Sequence, residues 1–332
     1  MNSLVTTETG KLRILSRSDL AAVDYSLPEV LQAVEGAYHA YAAGLSANPS
    51  KLTAKPGDER SVAYAMLGRD GERETVAIKT SYKFDRFRDK ASQKYYTSLL
   101  LYDDMTGLPI ALMDCSLVGA LRTPAASALI ARECARADAE CALVVGCGVQ
   151  GQMALPFLVQ ALPRLKRLIL HGHHPAGIQA ALDRMRHAVP ERRIEISQDL
   201  RVSARAADIV IGAAGPASAA SVRHDWLKPG ALSILVGHGL HAELLHHADY
   251  RVATSESQMR VTGTDLADAQ GALPTIDAEL PEILLRRKPG RTDNSQRVFA
   301  YNSGMVITDI ALGRLLAERA QAQGLGCDVQ LW

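Results

Sequence analysis

The second half of the chain alternates strand-like and helix-like patterns from Cys141 onward. Short apolar runs predict strands at Cys141–Val145, Leu165–Leu170, Ile194–Ile196, Ile209–Gly212, Ala231–Gly237 and Arg251–Ala253. Apolar residues at helical spacing predict helices at Gln150–Leu162 and Ala176–Ala188. Strands that alternate with helices indicate a parallel sheet covered on both faces, so we expect a doubly wound α/β domain.

The first third and the tail of the chain carry a different pattern. Ser26, followed by Pro28 and Glu29, predicts the start of a helix, because serine caps helices and proline fits their first turn. Further strands are predicted at Ser61–Leu67, Thr75–Thr80 and Thr97–Tyr102, and helices at Leu117–Ala137 and Met305–Gly324. Since chain termini often lie close together, we expect the last helix to pack on the first domain.

Composition excludes several classes of protein. With 332 residues, 47% of them hydrophobic and 22% charged, the chain is long enough for two globular domains. A net charge of +1 gives no electrostatic basis for binding nucleic acid or membrane. The N-terminal residues lack the apolar core of a signal peptide, and no uncharged apolar run reaches about 18 residues. Five scattered cysteines without a C-x-x-C pair argue against a disulfide framework, so we expect a protein of the reducing cytoplasm.

A glycine-rich loop directly follows the first of the predicted parallel strands. Gly146, Gly148 and Gly151 have the G-x-G-x-x-G spacing, and a predicted helix begins at Gln150. In this context the first glycine permits a tight turn, the second lets a pyrophosphate approach the backbone, and the third allows helix to pack on strand. The helix start, with Val149 and Gln150, then offers free N–H groups to the phosphates. The loop predicts an NAD(P)-binding oxidoreductase.

The end of the second parallel strand bears on the choice of dinucleotide. Enzymes that use NAD often place an acid there, about 20 residues past the loop, to bind the ribose 2′-hydroxyl. This chain has Gly172 instead, surrounded by His171, His173 and His174. Without a carboxylate a 2′-phosphate is not repelled, and imidazoles can donate hydrogen bonds to it. We therefore favour NADP(H), with NAD(H) as the alternative.

Several stretches of the chain resemble the ornithine cyclodeaminase/μ-crystallin family. They are Val76–Lys79, Asp104–Pro109, Leu121–Ser127, Gly146–Gly151, Ala206–Val210, Leu227–Gly230 and Gly304–Asp309, and they span nearly the whole chain. The resemblance implies a homodimer in which a Rossmann domain, here 126–305, is inserted into an α+β substrate-binding and dimerisation domain, here 1–125 plus 306–332. It also implies hydride transfer between α-amino acids and their imines. Gly146-Cys147-Gly148, His224–Leu227 and Gly324–Trp332 are further similar to dehydrogenases that make precursors of 2,3-diaminopropionate.

The resemblance also implies which residues form the site, and their chemistry fits. Arg122 has a planar fork that suits a carboxylate, and Lys79 ends an apolar strand where an ammonium group needs a partner. Both are expected to act in catalysis by holding the substrate carboxylate, with proton donation as the alternative for Lys79. A third cation of the family maps to Lys51 or Lys55, of which we take Lys51 as the substrate-binding candidate. Further cofactor contacts are expected at Thr123, Gly237 and Met305.

One position departs from the family pattern. Where cyclodeaminases carry an aspartate that handles the substrate amine, this chain has Gly239. His238 or His241 can supply acid–base chemistry instead, since imidazole titrates near neutrality, and we take His238 as the catalytic candidate. The departure favours an amino acid dehydrogenase or imine reductase. The alternatives are a cyclodeaminase without net redox change and a non-catalytic binding protein that requires a dinucleotide.

Two further groups of residues carry possible binding chemistry. The basic and aromatic segment Lys83–Lys90 can hold a second acidic group of a larger substrate, or it is a solvated loop. The histidine pairs His173-His174 and His246-His247 lack the helical spacing of a metal site, so we expect no metal.

Overall fold

The chain folds into two compact units. The computed structural model describes residues 10–55, 61–84 and 94–331. Unit 1 comprises residues up to Arg122 and from Met305 onward, and unit 2 runs from Thr123 to Gly304. The long helix α3 (Ser116–Cys134) contains the first of these boundaries. The boundaries inferred from the sequence were 125/126 and 305/306.

Unit 2 contains a parallel sheet. Its eight strands are β7 (Cys141–Val145), β8 (Arg167–His171), β9 (Glu195–Ile196), β10 (Ile209–Gly212), β11 (Leu232–Leu235), β12 (Tyr250–Ala253), β13 (Ala278–Glu279) and β14 (Val298–Tyr301), in the spatial order β13-β12-β14-β11-β10-β7-β8-β9. The helices are α4 (Val149–Ala161), α5 (Pro175–Ala188), α6 (Leu200–Ala206), α7 (Glu243–His246), α8 (Glu256–Thr262) and α9 (Leu280–Leu284). Strands β7, β10 and β11 are buried along their whole length, as expected when both faces are covered.

The strand order places a topological switch point beside β7. The chain runs outward from β7 to β8 and β9, and then returns to continue at β10 on the other side of β7. Ligands of open α/β sheets bind at the carboxyl ends of the strands at such a point. The loop that begins at Gly146 therefore has the position expected of a dinucleotide site.

Unit 1 is a mostly antiparallel sheet packed against helices. The strands are β1 (Lys11–Leu15), β2 (Leu52–Ala54), β3 (Ser61–Asp70), β4 (Thr75–Phe84), β5 (Lys94–Asp103), β6 (Pro109–Asp114) and β15 (Cys327–Gln330), in the order β15-β1-β6-β5-β4-β3-β2, with only β1 and β6 parallel in the described part. The helices are α1 (Arg17–Ala22), α2 (Leu27–Ala42) and α10 (Val306–Ala322). Ser26 caps α2 through a capping box with Glu29, as its sequence predicts. Helix α10 is buried over most of its length and packs on α2 and β3.

Most predicted elements are present with shifted ends. Strands β3 and β5 run several residues beyond the predicted segments, whereas the strand predicted at Ala231–Gly237 is shortened to β11. The strands that were not predicted are β1, β2, β6, β13, β14 and β15. Strand β14 has four residues and little sequence signal, yet it lies between β11 and β12 within the parallel sheet. The doubly wound α/β fold class is confirmed.

Candidate active site

The glycine loop of unit 2 leaves space at one of its three glycines. A Cβ added to Gly146, whose φ is 115°, would lie 2.5 Å from the Ala213 carbonyl oxygen, and one added to Gly151 would lie 1.9 Å from the Gly146 oxygen. Packing thus requires both glycines. A Cβ added to Gly148 would meet no atom within 4 Å. Gly148 is also the N-cap of α4, and it makes no side-chain cap hydrogen bond.

These features fit a dinucleotide pyrophosphate. Val149, at the first position of α4, is 62% exposed, and Gln150 follows it half-buried. An anion at this helix start would meet the positive end of the helix dipole. The Gly146–Gly151 loop therefore stays the predicted phosphate-binding part of the site.

Three histidines lie at the end of β8, in different surroundings. His171 is buried, its Nδ1 lies 3.3 Å from the Ser197 hydroxyl, and burial, followed by the charge of His173, lowers its pKa. His173 is exposed, and its ring meets that of His171 edge-on at 4.9 Å. His174 is exposed and caps α5, because its Nδ1 accepts a hydrogen bond from the Gly177 N–H at 3.2 Å. His173 and the free Nε2 of His174 are therefore the groups best placed to meet a ligand.

Unit 1 brings together two of the predicted cations around one buried carboxylate. Asp309 on α10 is completely buried, and its Oδ1 accepts hydrogen bonds from Lys79 Nζ at 2.7 Å and Arg122 Nε at 3.1 Å. Burial raises the pKa of Asp309, but the charges of Arg122 and Lys79 outweigh it and hold the pKa below its usual value. Asp309 is therefore ionised near neutral pH and orients both cations.

Both cations retain donors for a ligand. The Arg122 side chain is 14% exposed, and neither of its terminal nitrogens makes a hydrogen bond with the described residues. A guanidinium bound through Nε alone still presents its two-pronged end to a carboxylate. The Lys79 side chain is 10% exposed, and an ammonium group has three protons, of which Asp309 takes one.

Lys51 is the third member of this group. It is half-buried, its Nζ lies 4.3 Å from the centre of the Tyr64 ring, and burial, followed by the charge of Lys79, lowers its pKa. Lys55, the alternative from the sequence, is exposed. We call Lys51, Lys79, Arg122 and Asp309 the cation cluster. Its three cations and one carboxylate leave a net positive charge, which favours an anion.

Comparison with known proteins identifies the family. The family model described as "Ornithine cyclodeaminase/mu-crystallin family" matches residues 13–324. The chain belongs to this family. N-((2S)-2-amino-2-carboxyethyl)-L-glutamate dehydrogenase of Staphylococcus aureus is 24% identical over 239 residues, covering 70% of this chain and 71% of that one. Alanine dehydrogenase of Archaeoglobus fulgidus is 24% identical over 96% of this chain and 98% of that one.

A solved structure shows the same architecture. Delta(1)-pyrroline-2-carboxylate reductase of Thermococcus litoralis, solved in complex with NADH and L-proline, superimposes with a TM-score of 0.79 at 25% identity, over 96% of this chain and all of that chain. The expected family and the expected class of activity, an NAD(P)-dependent oxidoreductase of amino or imino acids, are thereby confirmed.

Gly239, where the sequence departs from the cyclodeaminase pattern, adopts a conformation that disfavours an aspartate. Its φ is 107°, in the region that favours glycine, and an added Cβ would lie 3.0 Å from Val145 Cγ1. The backbone N–H and carbonyl of the neighbouring His238 pair with Ala214, and its exposed side chain makes no hydrogen bond with the described residues. His241 is engaged, because its Nδ1 lies 3.3 Å from Glu243 Oε2. His238 is thus the freer of the two candidate bases.

The other residues predicted to contact the cofactor also make contacts within the protein. In unit 2, the Thr123 carbonyl accepts a hydrogen bond from Asn302 Nδ2 at 3.0 Å, and a Cβ on Gly237 would lie 2.8 Å from the Ala214 oxygen. In unit 1, Met305 is completely buried and precedes α10 as its N-cap. Their contacts with a cofactor stay predictions. The segment Lys83–Lys90 lies, from residue 85 onward, outside the described residues.

Two buried groups of unit 1 were missed by sequence reasoning. Asp309 was recognised only as part of a matching stretch, although an acid among the apolar residues of α10 is itself a signal. Tyr38 on α2 is completely buried, burial raises its pKa, and its hydroxyl has no hydrogen-bond partner in the described structure. Among the described residues no group of three His, Cys, Asp or Glu side chains could hold a metal ion. No described helix is long and apolar enough to cross a membrane.

Proposed function

We propose that the protein catalyses hydride transfer between a nicotinamide dinucleotide and the α-carbon of an α-amino or α-imino acid. The cation cluster carries the proposal, because its buried Asp309 holds two cations whose remaining donors suit an α-carboxylate. The open position at Gly148 and the uncapped start of α4 support the dinucleotide. When bound, the dinucleotide supplies or accepts the hydride.

The residues of this chain contribute binding, orientation and proton transfer. The terminal nitrogens of Arg122 bind both oxygens of the substrate carboxylate, and Lys79 and Lys51 add charge-assisted hydrogen bonds. A carboxylate fixed in this way fixes the neighbouring α-carbon, and such positioning is a large part of catalysis in bimolecular reactions. His238 gives or takes the proton of the substrate nitrogen, in place of the aspartate that Gly239 replaces.

We assign NADP(H) as the favoured cofactor. Gly172 offers no carboxylate to repel a 2′-phosphate, and His173 and His174 are exposed at the end of β8. The Asp199 carboxylate is near enough to act on His171, but it caps α6 by accepting a hydrogen bond from the Val202 N–H at 3.0 Å. Titration of NADPH and NADH at acid and alkaline pH tests the assignment. NADPH should bind more tightly than NADH, and tighter binding of NADH at both pH values would refute the assignment.

The active form is proposed to be a homodimer in the cytoplasm. Residues of β2–β6 on one face of the unit 1 sheet line a pocket with a volume of about 600 Å³. Leu52, Tyr82 and Tyr96 on this face are 73%, 43% and 61% exposed, which is unusual for large apolar side chains of a monomer. The five cysteines are free thiols, which fits a reducing compartment. The molar mass in solution, with Tyr96→Asp as the variant expected to dissociate, tests the dimer.

A spectrophotometric assay tests the function. The substrates are a panel of α-amino acids, 2-oxo acids with amines, and cyclic imines, together with N-(2-amino-2-carboxyethyl)-glutamate because of the Staphylococcus aureus relative. A net change of NADPH absorbance with any of them supports the proposal. Release of ammonia at constant NADPH indicates a cyclodeaminase instead. Tight NADPH binding without turnover across the panel indicates a binding protein.

A further inference from the structure

The first loop residues of unit 2 lie directly beside the end of β8. Strands β7 and β8 are parallel with Val145 opposite His171, and the Gly146 N–H donates to the His171 carbonyl at 2.8 Å. Cys147, two residues past Val145, lies beside Gly172, the residue that follows His171. Cys147 is buried, and its Sγ lies 3.6 Å from the carbonyl oxygen of His174.

The Cys147 side chain occupies the space that a side chain at position 172 would need. A Cβ added to Gly172 would lie 2.7 Å from Cys147 Sγ and 3.0 Å from Cys147 Cβ, both shorter than normal contacts. The φ of Gly172 is not in the left-handed region, so its backbone conformation would accept other residues. Gly172 is thus required by packing against the thiol and not by a turn.

Position 172 is also where a dinucleotide enzyme chooses its cofactor. It follows β8 directly and lies about 20 residues past Gly151, at the place where NAD-dependent folds put the acid that binds the ribose 2′-hydroxyl. Such an acid needs a Cβ, and a Cβ at position 172 would lie 2.7 Å from Cys147 Sγ, so the thiol has to move before an acid fits. The residue between the first two glycines of the loop therefore decides whether the acid can be present.

We propose that Cys147 is a specificity-determining residue: its thiol keeps position 172 without a side chain and so biases the dinucleotide site against NAD(H). The thiol acts through packing and needs no contact with the cofactor. This inference rests on the proposed dinucleotide function. It implies that the absence of an acid at position 172 and the presence of Cys147 are linked. A single substitution therefore cannot reverse the cofactor preference.

The test is a cycle of four proteins, namely the native chain, Cys147→Ala, Gly172→Asp and the double variant. The dissociation constants of NADH and NADPH are measured by fluorescence titration, which requires no substrate. Gly172→Asp alone should weaken both dinucleotides, because the new side chain must displace the loop. The double variant should bind NADH about 10- to 100-fold more tightly than Gly172→Asp does, the range expected when hydrogen bonds to a charged group form. The affinity for NADPH should not increase between Gly172→Asp and the double variant.

A second glycine provides a matched control. A Cβ on Gly177 would lie 2.5 Å from the backbone oxygen of Cys147 and 2.9 Å from its Sγ. Because the nearest atom is backbone, Cys147→Ala cannot make room there. Gly172→Ala and Gly177→Ala should both lower the melting temperature. Cys147→Ala should restore much of that loss for Gly172→Ala and little of it for Gly177→Ala.

The outcomes separate this inference from the proposed function. A native chain that binds neither dinucleotide would refute both. If the native chain binds a dinucleotide but Gly172→Asp alone binds NADH as tightly as the double variant, the function stands and the role of Cys147 is refuted. Should the aspartate variants fail to fold, the melting temperatures of the alanine cycle decide. Equal rescue at Gly172 and Gly177, or rescue at neither, would then overturn the inference.

Discussion

Replacement of Asp309 by asparagine tests whether the buried carboxylate organises the cation cluster. Asn keeps the size and one acceptor oxygen but removes the charge that Lys79 Nζ and Arg122 Nε share at 2.7 and 3.1 Å. Two cations would then face each other without a counter-charge, each at most 14% exposed. We expect Lys79 and Arg122 to move apart, and the substrate carboxylate to lose its fixed binding geometry.

The size of the effect follows from burial. Removing one partner of a buried ion pair costs about 3–5 kcal/mol of unfolding free energy, and the oxygen kept by Asn places this variant near the lower value. For a chain of this size each kcal/mol lowers the melting temperature by about 2–4 °C. Misplacement of a bound substrate by about 1 Å lowers the rate about 100-fold, so kcat/KM should fall by at least that factor. The affinity for NADPH should stay unchanged.

Asp208 provides the matched control in unit 2. It is also buried between two cations, with Lys228 Nζ at 2.7 Å and Arg136 Nη2 at 3.2 Å, and it accepts hydrogen bonds from the N–H groups of Glu140 and Cys141. Asp208→Asn should lower the melting temperature at least as much as Asp309→Asn. Its kcat/KM, measured where both variants are folded, should stay close to the native value. Equal losses of kcat/KM in the two variants would mean that Asp309 only stabilises the fold.

The pH dependence of stability gives a second measurement of the same carboxylate. The folded pKa of Asp309 is lowered, because Arg122 and Lys79 outweigh the opposing effect of burial. A lowered pKa contributes stability that is fully present above the unfolded value of about 4 and is lost as the pH falls through the folded value. The melting temperatures of native protein and Asp309→Asn should therefore differ at neutral pH and converge in acid. A constant difference down to the lowest pH would contradict the assignment.

Three further substitutions test neighbouring groups. Arg122→Lys keeps the charge but loses the two-pronged donor, so kcat/KM should fall about 10- to 100-fold while NADPH binding is unchanged; native activity would remove Arg122 from the site. Burial and Lys79 lower the pKa of Lys51, so KM should begin to rise with pH below the usual lysine value of about 10.4, and Lys51→Met should abolish this rise. Tyr38→Phe removes a buried hydroxyl without a partner in the described structure, so it should leave the melting temperature unchanged or raise it; a loss above about 1 kcal/mol would indicate a hidden partner.

The sequence predicts more of the fold of unit 2 than of the fold of unit 1. Its strands and helices alternate regularly, and the glycine loop identifies which strand comes first. Strand β14 escaped prediction because its four residues carry no period, and only pairing with β11 and β12 makes them a strand. In unit 1 the antiparallel strands β4 and β5 are longer than their apolar cores, since exposed Tyr82 and Tyr96 extend them.

The site was predictable as a set of residue types but not as an arrangement. Arg122 and Lys79 were identified by chemistry and resemblance, yet their common partner is 187 and 230 residues away along the chain. No local pattern connects such positions. The choice between Lys51 and Lys55 had the same difficulty, because it depends on the path of the loop before β2. Lys51 is half-buried and close enough to Lys79 to be affected by its charge, whereas Lys55 is exposed. This difference in burial arises only in the folded unit.

Gly172 shows why the absence of a side chain is harder to interpret than its presence. From the sequence, a glycine at the acid position indicates only that the ribose contact is missing. The structure adds the cause, since the backbone at Gly172 would allow a side chain and the thiol of Cys147 does not. On this proposal, cofactor preference depends on two residues that are adjacent in space and 25 positions apart in sequence. A variant that introduces only an acid at position 172 would gain the hydrogen bond to the ribose together with the clash against Cys147. The clash would then prevent tighter binding of NADH.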